Sequence, residues 1–207
     1  ICLSSMIEVC RLFNATFPMI LPRLFVDSMY SDACVHSTHQ SRVVDALFNT
    51  SGTFVEFGGN DGLHESNTRF LECRGWRGVL IEPLRSQWQK SCINRPLAVS
   101  VRAAICPAYD VVNISIPGRR TAASGIRKHM SQLSIRTFIE KSTVATERVP
   151  CRPLETMVSP NQCIDYISID VEGAEWSILK YYPFQTACIH VISVEMHASS
   201  KHHNLNI

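Results

Sequence analysis

Three short runs gather side chains that can do chemistry. The first, F-V-E-F-G-G-N-D-G from Phe54 to Gly62, passes from apolar residues into glycines and small polar residues. Glycines in such a place let a ligand approach the backbone, and the N–H groups opening a following helix suit an anion such as a carboxylate. A plain strand-to-helix turn would use the same residue types. The second run, R-G-V-L-I-E-P, ends in Glu82, which lies 24 residues beyond Gly58. A carboxylate at that distance accepts both hydroxyl protons of a ribose in nucleoside-binding folds, and a surface glutamate before a proline is the alternative. The third run, D-V-E-G-A-E, places Asp170, Glu172 and Glu175 within six residues. Three carboxylates there can activate a hydroxyl or hold a metal, although acidic residues also cap helices and complement their dipoles.

The spacing also bears on which nucleoside is bound. A dinucleotide fold wants G-x-G-x-x-G, whereas this chain has G-G-N-D-G with Glu56 two residues ahead. Asn60 and Asp61 would set polar side chains where a pyrophosphate must lie, and a carboxylate is a poor neighbour for a diphosphate. It is a good neighbour for an ammonium group. S-adenosylmethionine carries an ammonium, a carboxylate, a ribose diol and a sulfonium, so it suits this edge better than NAD. An NAD-linked oxidoreductase is thereby disfavoured.

The elements that must position these runs follow from periodicity. S-R-V-V-D-A-L-F, Ser41 to Phe48, predicts a helix stopped by N-T-S-G, and T-F-V-E-F predicts a short buried strand. Ser66 to Arg74 predicts a helix, Arg77 to Pro83 a second strand, L-R-S-Q-W-Q-K a short helix, and Leu97 to Ile105 a third strand. Residues 106–150 are less regular, with V-V-N-I-S-I-P as an additional strand, Glu147 to Leu154 as a short one, and the basic run from Arg119 to Lys128 as a solvated loop. Ile164 to Asp170 is a strand, A-E-W-S-I-L-K-Y-Y a helix, and Ile189 to Glu195 a further strand. Strand and helix alternate at short spacing, which argues for a parallel α/β sheet with ligands at the carboxyl ends of its strands.

Composition narrows the class further. The chain has 207 residues, 45% hydrophobic and 18% charged, with a net charge of +2. That suits one globular domain and gives no electrostatic case for nucleic acid. No apolar run is long enough to span a membrane, and Pro18 and Pro22 interrupt the nearest candidate, Leu12 to Pro22. The nine cysteines include no C-x-x-C pair, which argues against zinc. Buried free thiols are the favoured reading and disulfides of a secretory compartment the alternative. Sequons at Asn14, Asn49 and Asn113 are a weak hint of the secretory route, so the compartment stays open between cytoplasm and secretory pathway.

Taken together, F-V-E-F-G-G-N-D-G, S-N-T-R-F-L-E, G-W-R-G-V-L-I-E-P, N-R-P, I-D-Y-I-S-I-D-V-E-G-A-E and I-S-V-E resemble the FkbM family of methyltransferases over roughly residues 40 to 197. The resemblance implies a Rossmann-like class I methyltransferase sheet with helices on both faces, S-adenosylmethionine as donor, and O-methylation of a sugar or another small-molecule or glycan hydroxyl. By position, Glu56, Gly58, Gly59, Asn60, Asp61, Gly62 and Asn67 correspond to the donor-binding region, and Glu82 to the ribose acceptor. Ala103 and Ala104 fall at the adenine edge, and Asp170, Glu172 and Glu175 match the acidic block near the transferred methyl, with Asp170 first choice as base. Gly59 stands where alanine is common in the family. The sequence ends soon after the strand at Ile189, so the last two strands of a full class I sheet are expected to be missing from it. Residues 1–40 read as an N-terminal extension and 41–207 as the methyltransferase domain, with His197, His202 and His203 in a solvated tail. The competing expectation is a non-catalytic member of the fold that acts as an interaction module in the secretory or endomembrane system.

Overall fold

The computed structural model describes residues 8–10, 39–118, 120–157, 163–182, 184–185 and 187–196. Most of the expected N-terminal extension, Arg119 and the tail histidines lie outside them, as do Asn14, Cys2 and Cys34.

T-F-V-E-F folds as β2 (Thr53–Phe57), in which four of the five residues are buried. Apolar residues on both faces of a strand require cover on both sides, the mark of a parallel α/β sheet. Four further strands pair in parallel with it or its neighbours: β3 (Arg77–Ile81), β4 (Val99–Arg102), β8 (Ile164–Ile169) and β9 (Ile189–Val194). A short β1 (Glu8–Cys10) joins β4 antiparallel, so the order is β1-β4-β3-β2-β8-β9. The chain winds outward from β2 to β4, then returns to β8 on the other side of β2. The crevice between the carboxyl ends of β2 and β8 is therefore the topological switch point, where open α/β sheets bind ligands.

Helices cover both faces. On one, α1 (His39–Phe48) and α2 (Arg69–Cys73) bring Val44 and Leu71 against Phe54, Trp76, Leu80 and Tyr166. The helix α3 (Arg85–Asn94) lies on the same face, where Ser91 Oγ donates to Ser100 Oγ at 3.2 Å. On the other face, α4 (Glu175–Tyr181) packs Ile178 against Val55, Phe57, Ile167 and Ile169. The expected α/β architecture with helices on both faces is the observed one.

Three expectations are corrected. Leu97–Ile105 is not one strand: β4 stops at Arg102, and Ala104–Ile105 forms β5 in a second sheet, paired with β7 (Val144–Arg152). Ala103 and Ala104 are buried where the chain crosses between the sheets. The expected strand V-V-N-I-S-I-P is observed as β6 (Asp110–Pro117), antiparallel to β7 in the order β5-β7-β6, but β7 starts at Val144 and ends at Arg152 where a strand from Glu147 to Leu154 is expected. Pro150 sits within β7, which a strand interior normally excludes. It is accommodated because β5 reaches only Cys151 and Arg152 and leaves that side of Pro150 without a ladder partner.

The third correction concerns the thiols. Cys10 is bonded to Cys92, Cys106 to Cys151 and Cys163 to Cys188, and Cys73 is also in a disulfide. For the described cysteines the buried free-thiol reading is overturned. The partners stand 82, 45 and 25 residues apart and meet only through strand pairing and helix packing, which spacing cannot show. Among the described residues, no helix is long and apolar enough to cross a membrane.

Candidate functional site

The chain leaves β2 at Gly58, whose N–H donates to Ile81 O at 3.0 Å and whose φ is +79°. A Cβ at this position would run into the carbonyl oxygen of Asp170, so only glycine lets the ends of β2 and β8 approach this closely. Gly59 has ordinary backbone, and a Cβ there would meet only the Leu80 methyl at 3.1 Å and the Glu56 carboxylate at 3.4 Å. Alanine therefore requires only a small side-chain shift. Asn60 follows with φ +49°, its N–H donating to Glu82 Oε2 at 3.0 Å and its Oδ1 accepting from Thr121 Oγ1 at 3.3 Å.

Glu82, just past the end of β3, is 5% exposed. Its other oxygen accepts from Leu84 N at 2.9 Å. Burial pushes its carboxyl up to about 8, against the pull of the Leu84 and Asn60 N–H groups. Two fixed donors still leave lone pairs on the carboxylate for further donors.

The loop beneath is held by a buried ion network. Glu56 accepts from Ser66 Oγ at 2.8 Å, from Thr68 Oγ1 at 2.6 Å and from the backbone N–H of Asn67. Arg95, 1% exposed, donates through Nε to Glu72, through Nη1 to Ser66 Oγ at 2.8 Å and through Nη2 to Thr68 Oγ1 at 3.0 Å. Glu72 also accepts from Leu97 N at 3.1 Å. Gly62, with φ +79°, packs against Ser91 and Arg95. Asp61 accepts from Leu63 N at 2.9 Å and His64 N at 2.8 Å and pairs with His64 Nδ1 at 2.8 Å. Partial burial opposes its charge, but the hydrogen bonds from His64 and Leu63 together outweigh it and hold the carboxyl below its ordinary range.

At the end of β8, burial first, then the adjoining Glu195, Glu172 and Glu175 carboxylates, push Asp170 up to about 8. Carboxylate oxygens of Asp170, Glu172 and Glu195 lie within 4.8 Å of one another, a spacing at which such groups share a proton or a cation. Glu172 has φ +56° and precedes Gly173 at +105°, a tight turn braced by Glu175 Oε1, which accepts from Val171 N at 3.1 Å and Gly173 N at 3.0 Å.

Between these elements lies a cleft of roughly 920 Å³. Gly58, Asn60, Asn67 and Glu82 line it near β2 and β3, Ala103 and Ala104 at the crossing between sheets, and Asp170 and Glu172 at β8. Glu56, Gly59, Asp61, Gly62 and Glu175 stand outside its lining and support the loops that form it. Residues that motif reading missed are Glu195, which lines the cleft after β9, and Arg95 with Glu72 beneath it. Their signals in the sequence are the I-S-V-E run for Glu195, N-R-P for Arg95 and S-N-T-R-F-L-E for Glu72.

The second sheet supplies the far wall. Its β6–β7 ribbon carries residues 120–126 and the helical segment through Ile139 to the cleft, which Arg120, Thr121, Ser124, Thr137 and Phe138 line. The guanidinium of Arg120 lies 5.6 Å from the centroid of the Phe138 ring. The basic run is thus only partly a solvated loop: Arg127 and Lys128 are exposed, whereas Thr121 to Ile126 line the cleft. Gly125 closes against Ser115 through paired backbone hydrogen bonds of 2.9 and 3.2 Å, which ties the wall to β6.

A doubly wound parallel sheet, a glycine exit at its switch point and a buried carboxylate on the next strand define a Rossmann-like methyltransferase fold. The model of the methyltransferase FkbM domain matches residues 56–205, most of the chain, and the chain belongs to that family. No curated protein and no solved structure matches it.

Proposed function

We propose that this chain is an S-adenosylmethionine-dependent O-methyltransferase acting on a hydroxyl of a sugar or another small-molecule or glycan acceptor. The observation that carries the reading is Glu82, a buried carboxylate aimed into the cleft beside Gly58 and Asn60. The residues fit the donor: Gly58, Asn60 and the buried Glu82 line the cleft together, and the cleft volume is within the range of small-molecule sites. Bound in this cleft, S-adenosylmethionine supplies a methyl group on a sulfonium that is already a good leaving group.

The chain's own residues then have three tasks. Glu82 accepts the two ribose hydroxyls, while Ala103 and Ala104 leave a flat apolar edge for adenine. Asn60 and Asn67 offer polar groups to the amino-acid end. Glu56, Asp61, Gly62 and Glu175 act at one remove, holding the loops in register. Asp170 orients the acceptor hydroxyl and takes its proton as the oxygen–methyl bond forms. A carboxylate whose proton is held to about 8 is a stronger base than an ordinary one once ionised. The wall from Thr121 to Phe138 limits water and aligns the acceptor with the methyl. No residue is assigned to a metal.

Incubating the protein with isotope-labelled donor and fractionated extracts, then searching by mass spectrometry for labelled methyl ethers, tests the reaction. Labelled ethers that vanish with Asp170→Asn support it. Donor binding with no labelled product from any fraction contradicts it and favours a non-catalytic interaction module. The disulfides favour the secretory setting of that alternative but leave its loss of catalysis without support.

A further inference from the structure

Two asparagines outside the cleft acquire a role once the disulfides are known. Cys10–Cys92, Cys106–Cys151 and Cys163–Cys188 join elements of both sheets. Such cross-links form and persist in oxidising compartments, the route on which N-x-[ST] asparagines meet the glycosylation machinery. Asn49 opens the sequon N-T-S, and all three of its residues are exposed. It sits with φ +53° between the end of α1 and the start of β2. That is the amino end of the strands, opposite the edge that holds the cleft. Five residues of β2 separate the two edges, about 17 Å at some 3.3 Å per residue.

Asn113 opens N-I-S on β6, an edge strand of the second sheet. Its neighbour Ile114 is buried and lines the cleft, so strand alternation turns Asn113 to the outer face, where it is exposed opposite the exposed Arg148. Both side chains can carry a bulky, solvated substituent without displacing anything packed.

We propose that Asn49 and Asn113 are N-glycosylation sites and that the glycans project away from the donor cleft. The co-reactant is an oligosaccharide activated as a diphosphate ester. The asparagine amide nitrogen forms a bond to the anomeric carbon of the sugar and loses a proton, and the bond from that carbon to the diphosphate oxygen breaks, releasing the diphosphate.

The test is to secrete the chain from a eukaryotic cell behind an added export signal. The glycans are removed with an amidase in heavy-oxygen water, which converts each occupied asparagine to labelled aspartate. Peptide mass spectrometry is expected to find the label at positions 49 and 113. Ser51→Ala and Asn113→Gln should each remove one mobility step on a denaturing gel and leave binding of S-adenosylmethionine unchanged. An unlabelled peptide at either position in the secreted, disulfide-bonded protein overturns the assignment of that asparagine. Unlabelled peptides at both overturn the inference. The readout is the mass of the peptide, so it stands apart from the success or failure of the methyltransferase reading.

Discussion

Glu82 folds into a place where its charge is poorly solvated, and that has two measurable consequences. Its carboxyl ordinarily loses its proton near 4.5 but keeps it to about 8 in the folded chain. Between those values folding binds a proton, so the stability this group contributes is full below about 4.5 and is lost as pH rises towards 8. Each unit of such a displacement corresponds to about 1.4 kcal/mol. Glu82→Gln, neutral at every pH, should flatten the fall in unfolding free energy between pH 5 and pH 8, as measured by denaturant titration. The second consequence concerns the ligand. Ribose hydroxyls stabilise the ionised carboxylate, so donor binding should release protons near neutral pH. Calorimetry in buffers of differing ionisation enthalpy reads that release directly, and a buffer-independent heat would contradict it. Arg95 makes a different case. It is buried with Glu72 and Glu56, at 3.7 Å from the latter, and removing it strands their charges. Arg95→Met is expected to cost about 3–5 kcal/mol in stability, visible as a lowered denaturation midpoint.

At the scale of elements, the legible and illegible parts divide by the range of the interaction. T-F-V-E-F, R-G-V-L-I and I-D-Y-I-S-I are strongly apolar, bounded by turns and buried on both faces, so local pattern sufficed to place β2, β3 and β8. Glu82 and Asp170 were legible for the same reason, since each follows directly on such a strand. The break at Ala103 was not, because nothing in L-A-V-S-V-R-A-A-I signals that β7, about 45 residues later, captures Ala104 and Ile105. The expected strand from Glu147 omits Val144 to Thr146, because nothing local in V-A-T marks a strand and only pairing with β6 holds those residues extended. Glu195 was passed over because one carboxylate after a strand carries no pattern until β9 is laid beside β8. The wall formed by the β6–β7 ribbon makes its own prediction. Cys106–Cys151 fixes the end of β5 to β7 beneath it. Replacing both cysteines by serine should lower stability by roughly 2–4 kcal/mol. Donor affinity should change less than stability, because β2, β3 and β8 do not include that bond. Equilibrium unfolding paired with donor titration checks both.

The whole molecule joins a doubly wound sheet, a cysteine framework that is oxidised among the described residues, and a cleft at the switch point in a methyltransferase of the FkbM family. Reduction should therefore destabilise the folded protein as a unit, with the loss of thermal stability following thiol exposure in a reductant series. The claim on which the rest depends is that the cleft binds S-adenosylmethionine through Glu82. Calorimetric titration of the intact protein with S-adenosylmethionine and, separately, with NADH tests it most directly, repeated on Glu82→Ala. The expected result is saturable binding of S-adenosylmethionine, none of NADH, and a loss of at least about tenfold in affinity on substitution, since a hydrogen bond to a charged group contributes about 1.5–3 kcal/mol. Binding of NADH in preference, no binding of S-adenosylmethionine by the folded wild type, or equal affinity in Glu82→Ala would contradict it.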